Sequence, residues 1–197
     1  MTISIGVREV AERWECKRWT DFKENLKKIS ASNPFQQVHF PALAAYSNWN
    51  GFSDFISQSP FTTKDDLAAD REKNPPYGTN LTFPLSEYKK FNQTSGTQAQ
   101  PMGWLDTMED WRWMLGNWDR VLEAALVSPE DRCFFAFSFG PFLGFWTAYE
   151  SATQRGCVCI PAGGQSTEQR LYGILNQQAE HLFCTPTYAT VSYTHLR

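Results

Sequence analysis

Cys133-Phe-Phe-Ala-Phe137, Cys157-Val-Cys-Ile160 and His181-Leu-Phe-Cys184 are three short apolar runs in the final third of the chain. Runs of this length, rich in aromatic and β-branched residues and closed by turn formers, read as strands. The stretches between them, residues 142–155 and 167–178, read as helices, and Ser166 with Gln169 three residues later is a capping-box start for the second. The order is βαβαβ. Strands that are apolar on both faces and separated by helices imply an α/β fold, a mostly parallel sheet with flanking helices and right-handed crossovers. After the last strand, Pro186 in Thr185-Pro-Thr-Tyr188 suits the first turn of a further helix.

Upstream of the sheet the clearest helix covers residues 108–127, with Thr107 as N-cap and Glu109 and Asp110 favourably placed in its first turn. Its apolar stripe is Trp111, Met114, Leu115, Trp118, Val121, Leu122 and Ala125, which reads as core rather than as ligand contacts. Tyr88 to Phe91 is strand-like. Thr63 stands three residues before Asp66 as a helix-start cap, and that short helix ends before Asn74-Pro75-Pro76. Residues 34–60 read as short helices and loops with a turn at Asn48 to Gly51, and residues 7–30 as a helix broken once, with Val7, Val10, Trp14, Trp19, Phe22 and Leu26 at helical intervals.

The chain has 197 residues, 42% of them hydrophobic and 20% charged, which is a globular composition with room for one domain or the first portion of a larger one. A net charge of -3 leaves no basic excess for a nucleic acid or an anionic membrane, and neither is expected as a partner. No secretory signal follows Met1 and no segment has transmembrane length, so a cytoplasmic protein is expected. Five cysteines, Cys16, Cys133, Cys157, Cys159 and Cys184, are odd in number and four lie in strand-like segments, which suits reduced thiols. The Cys157-x-Cys159 pair has no second ligand pair at zinc spacing, so no metal site is expected.

The chemistry centres on Asn92-Gln-Thr-Ser-Gly-Thr-Gln-Ala-Gln-Pro101. Small hydroxyl residues around Gly96, directly after a strand, can turn several backbone N–H groups and hydroxyls toward an anion, as nucleotide phosphates require. This is not the glycine-and-lysine P-loop, and the same residues would also make a plain turn. Around it, in order, stand Pro60-Phe-Thr-Thr-Lys-Asp-Asp-Leu67, Asn74-Pro-Pro-Tyr-Gly78, Phe137-Ser-Phe-Gly-Pro-Phe142, Ile160-Pro-Ala-Gly-Gly164 with Gln169, and Cys184-Thr-Pro-Thr-Tyr-Ala189.

In this order and at about this spacing, the motifs from residue 60 to residue 189 resemble the phenylacetate-coenzyme A ligase family of adenylate-forming, AMP-binding enzymes. The resemblance implies part of the large N-terminal domain of such an enzyme, with ATP, Mg2+ and coenzyme A as cofactors. A carboxylate would be adenylated with loss of pyrophosphate and the acyl group passed to coenzyme A. Carried over, Thr94, Ser95, Gly96 and Thr97 would hold the β- and γ-phosphates, and Phe137, Phe139 and Phe142 would lie near the acyl pocket, where core packing is the competing role. The chain departs from the family at Ala99 and Gln100, where a second glycine and a lysine are usual, and at Tyr149, where relatives have a histidine. His39 and His181 are taken as structural.

The division expected is a helical N-terminal region over 1–59, a partial AMP-binding domain over 60–190 and an uninformative tail over 191–197. The family's glutamate-bearing motif, its ribose-binding aspartate and its lid with the catalytic lysine would lie past residue 197, so no activity is expected of this chain alone. Three alternatives stand beside the coenzyme A ligase: adenylation with a carrier-protein acceptor, adenylation with an amine acceptor, or a remodelled non-catalytic binding module. An exposed apolar sheet edge would favour a homo-oligomer.

Overall fold

A computed structural model of the protein describes residues 3–94 and 101–195. The chain forms two compact units, Met1–Glu87 and Tyr88–Arg197.

The first unit is helical. A continuous helix α1 (Ile3–Ser32) replaces the broken one expected; α2 (Pro34–His39), a 3-10 helix (Pro41–Asn48), α3 (Phe52–Gln58) and α4 (Lys64–Lys73) follow. Trp19, Phe22, Leu26 and Ile29 recur along one face of α1 and pack against Phe40, Leu43 and Trp49. The Lys23 ammonium donates to the carbonyls of Ser47 and Trp49 at 2.8 and 2.9 Å, closing the end of the 3-10 helix against α1. Thr63 caps α4 as expected, and Asp66 returns the bond to the Thr63 N–H. The Asn74-to-Gly78 motif then folds back on that helix: Asp70 accepts from the Thr79 N–H at 2.6 Å and from its hydroxyl at 2.7 Å. Gly78 makes the close approach possible. Its φ is +77°, and a Cβ there would meet the Asp70 carboxylate at 2.5 Å.

The second unit holds the strands. β1 (Tyr88–Gln93) pairs antiparallel with β2 (Gly103–Thr107), which leads directly into α5 (Met108–Ala124). β2 was not expected from the sequence. The parallel sheet consists of β3 (Arg132–Phe135), β4 (Val158–Pro161) and β5 (His181–Phe183) in the order β4-β3-β5, connected through α6 (Leu143–Arg155) and α7 (Thr167–Asn176), with α8 (Pro186–His195) after β5. The βαβαβ order expected from the three apolar runs is therefore present. β3 is central because both of its faces bury large side chains. Alternation sends Cys133 and Phe135 into a core with Leu122, Ala148 and Ala152 of α5 and α6, and Phe134 and Ala136 into a second core with Ile174 of α7 and Tyr188 of α8. Fully burying a side chain such as Phe134 or Phe135 stabilises the unit by roughly 1.5–3 kcal/mol.

Thr107 caps α5 as expected, with Asp110 returning the bond to the Thr107 N–H at 3.0 Å. Ser166 and Gln169 do the same for α7. The α5 stripe is narrower than its sequence suggests. Trp111, Leu115 and Leu122 are buried, whereas Val121 is 53% exposed.

Candidate active site

The ends of the parallel strands set the geometry. Beyond β3 the chain runs through Ala136 to Phe142, beyond β4 through Ala162 to Gly164, and beyond β5 through Cys184 and Thr185, so three of the family-like motifs lie together at the carboxyl edge of one sheet. In open α/β sheets this edge is where ligands bind. Gly163 lies against the first of these stretches: a Cβ there would stand 3.6 Å from both the Phe137 carbonyl and the Phe139 N–H nitrogen.

The β1–β2 hairpin is fastened to the same place. The Gln93 N–H donates to the Pro141 carbonyl at 2.7 Å, and Thr94 closes the hairpin, with its N–H donating to the Met102 carbonyl and its hydroxyl accepting from the Met102 N–H, both at 3.0 Å. Further back, Lys90 pairs with Glu150 at 2.7 Å and lies 4.5 Å from the centre of the Trp111 ring, whose N–H donates to the other Glu150 oxygen. This partly exposed ion pair is worth about 1 kcal/mol at most. Asn92 donates to the buried Asp106 across the hairpin at 3.0 Å, and burial raises the Asp106 carboxyl above its ordinary value. Ser95, Gly96 and Thr97, with Ala99 and Gln100, lie outside the described residues. Thr94, the fourth expected phosphate contact, is exposed at the mouth of the hairpin, and its hydroxyl keeps its own hydrogen to donate.

The three expected acyl-pocket residues belong to one aromatic array. Phe137 stacks on Phe145 with centroids 4.1 Å apart and meets Phe139 edge-on at 5.5 Å; Phe139 contacts Trp146 and Tyr149, and Phe142 reaches Phe145 at 5.8 Å. Only Phe137 of the three lines the adjacent cavity of about 320 Å³, together with Trp118, Gly144, Phe145, Ala148, Leu182, Phe183, Cys184 and Thr185. That volume lies at the lower end of the range for small-molecule pockets. Trp118 came from a stripe read as pure core; its place on the cavity wall could not be seen without knowing which side of the sheet α5 covers. Tyr149 faces the array with its hydroxyl 3.5 Å from the Cys159 carbonyl, and burial raises its phenol above the ordinary value.

His39 lies 3.2 Å from the Phe61 carbonyl and His181 2.9 Å from Asp131. Cys16, Cys133, Cys157, Cys159 and Cys184 are free thiols, and burial pushes Cys133 up to about 12. Among the described residues no group of three or more His, Cys, Asp or Glu side chains could hold a metal ion, so they offer Mg2+ no cage of their own. No described helix is long and apolar enough to cross a membrane.

No protein-family model matches the chain. A phenylacetate-coenzyme A ligase of Escherichia coli strain K12 is 28% identical over 176 residues, covering 87% of this chain and 37% of the relative. The chain is similar to the phenylacetate-coenzyme A ligases. The enzyme of that name from Pseudomonas putida is 27% identical over 171 residues, with the same coverage of each chain. This chain thus spans 37% of the length of these relatives. The fold is shared with 2-hydroxyisobutyryl-CoA ligase, solved in complex with 2-HIB-AMP and CoA, at a TM-score of 0.83 and 22% identity over 92% of this chain and 39% of that one. The shared fold is helix-rich with a small parallel sheet and matches the N-terminal region of that enzyme.

Proposed function

We propose that the chain supplies the triphosphate turn and the acyl wall of an ATP-dependent acid–thiol ligase, which adenylates an aryl acid such as phenylacetate and passes the acyl group to coenzyme A. The observation that carries this reading is the 2.7 Å bond from the Gln93 N–H to the Pro141 carbonyl. It fastens the base of the hydroxyl-and-glycine turn beside the aromatic array and its cavity, so that triphosphate and acid would meet at the carboxyl edge of one sheet. The similarity to the phenylacetate-coenzyme A ligases supports it.

The chemistry asks little covalent work of the protein. The acid's carboxylate oxygen attacks the α-phosphorus of ATP and the bond to pyrophosphate breaks. Two anions must be brought together, and the turn's amides and hydroxyls, with Thr94 at its base, would spread the charge of the departing β- and γ-phosphates. The wall of Phe137, Phe145 and Phe183 would exclude water and orient the aryl ring so that the carboxylate points at the phosphorus. A second reading, a non-catalytic binding module, is favoured by Ala99 and Gln100 where the family usually has glycine and lysine, since losing the lysine removes a positive charge from the phosphate site.

Pyrophosphate release distinguishes the readings. With ATP, Mg2+, coenzyme A and a panel of aryl acids, a polypeptide extended to the relatives' length is expected to release pyrophosphate and form a thioester, and the 197-residue chain to do neither. Silence from the extended polypeptide with every acid would favour the binding module, and turnover by the short chain would overturn the division of labour.

A further inference from the structure

Arg170 is a buried arginine, 8% exposed, and among the described residues no carboxylate forms an ion pair with it. Taking a guanidinium out of water without a counter-charge is costly, and a core of apolar residues would be the cheaper construction. What it holds is informative. Its Nε–H donates to the Ala162 carbonyl at 3.0 Å, its Nη1–H to the Ala136 carbonyl at 3.1 Å, and its guanidinium carbon lies 4.9 Å from the centre of the Tyr188 ring.

Ala136 and Ala162 are the first residues past β3 and β4, and Tyr188 follows β5 at the start of α8. There the sheet's own ladder gives out: the Ala162 N–H still donates to the Phe135 carbonyl and the Ala136 N–H to the Phe183 carbonyl, and the next carbonyls outward on β3 and β4 are the two taken by Arg170. One planar, rigid fork thus joins the segments beyond two strands and stacks on a ring beyond the third, a task an ammonium with a single nitrogen would do poorly. Directly outward lie Phe137 and Phe139, with Gly163 packed against their backbone.

We propose that Arg170 is a positioning residue for the acyl site: through Ala136 and Ala162 it fixes where Phe137, Phe139 and the Gly163-Gly164 loop stand relative to one another. This rests on the function proposed above only for the identity of the ligand; the clamp itself is a matter of geometry. It acts on the acid more than on the nucleotide: Arg170 grips Ala136, next to Phe137 of the aromatic wall, whereas the hydroxyl-and-glycine turn is tied on five residues further along, through the Pro141 carbonyl.

Two measurements test it separately. In the 197-residue chain, the Arg170 Nε–H is expected to exchange slowly with solvent, and Arg170→Lys is expected to shift the amide resonances of Phe137, Phe139 and Gly163 while those of the first unit stay in place. An unprotected Nε–H, or unmoved amides, would overturn the clamp whatever the enzyme does. In the extended polypeptide, Arg170→Lys is expected to raise the KM for the acid roughly tenfold, with the KM for ATP within about twofold of the wild type, the scale expected of a small misplacement of a binding wall. A variant with both KM values unchanged and only a smaller active fraction would reduce Arg170 to a stability residue. Arg170→Met, which keeps the apolar stem, should give the same split. Failure of the wild type to release pyrophosphate would count against the ligase and leave the first measurement to judge the clamp.

Discussion

Asp106 shows how a single residue ties stability to pH in the hairpin. Its carboxyl is raised chiefly by burial, with the Asn92 bond opposing and the nearby Asp110 adding to the rise. The folded protein therefore holds this proton more tightly than the unfolded chain does. Stability from the protonated form is complete below the ordinary value of 3.8 and is lost as the pH rises through the folded value, so at neutral pH the buried charge is a penalty. Asp106→Asn keeps an oxygen for Asn92 and removes the charge. We expect it to melt higher than the wild type at pH 7, with the difference shrinking as the pH falls toward 3.8; thermal melts across that window check it, and a gap that widens on acidification would contradict it. The same residue explains a failure of legibility. Asp106 in Gly103-Trp-Leu-Asp-Thr107 breaks the apolar alternation that marks a strand, and the buried Asn92 that compensates for it is visible only in the folded hairpin. Arg170 is hidden in the sequence for the converse reason, because a lone arginine on a short helix reads as a solvated one.

At the scale of elements, caps were the most legible features. Thr107 with Asp110, Ser166 with Gln169 and Thr63 with Asp66 each close their helix through contacts three residues apart, and such local chemistry needs no knowledge of the fold. Faces were less legible. At about 100° per residue, Val121 stands roughly 80° from Trp111 on the α5 wheel, at the margin of the stripe, and which margin is covered depends on the partner helix. The end of α5 holds a strained residue. Leu126 has φ +59°, with its N–H donating to the Glu123 carbonyl and that of Val127 reaching back to Leu122 at 2.9 Å, the bond of a left-handed helix stop. Its side chain is 84% exposed and adds little packing. Leu126→Gly should therefore stabilise the protein by roughly 1 kcal/mol, seen as a higher denaturant midpoint with an unchanged slope. A lower midpoint would mean that the leucine has contacts beyond this helix end.

For the molecule as a whole, βαβαβ was readable because β3, β4 and β5 are each apolar and separated by helices, and the sheet follows from that order. The site was readable only in part. The motifs named Phe137, Phe139 and Phe142, and the structure gathers all three into one array, yet of the three places only Phe137 on the cavity wall. On the function proposed above, the hydroxyl-and-glycine turn and this wall serve one reaction at one sheet edge. Hydrogen–deuterium exchange of the extended polypeptide addresses it directly. ATP with Mg2+ should slow exchange in the segment 92–101 and phenylacetate in the segment 137–148; protection of neither segment, or protection by both ligands only elsewhere in the chain, would contradict the account.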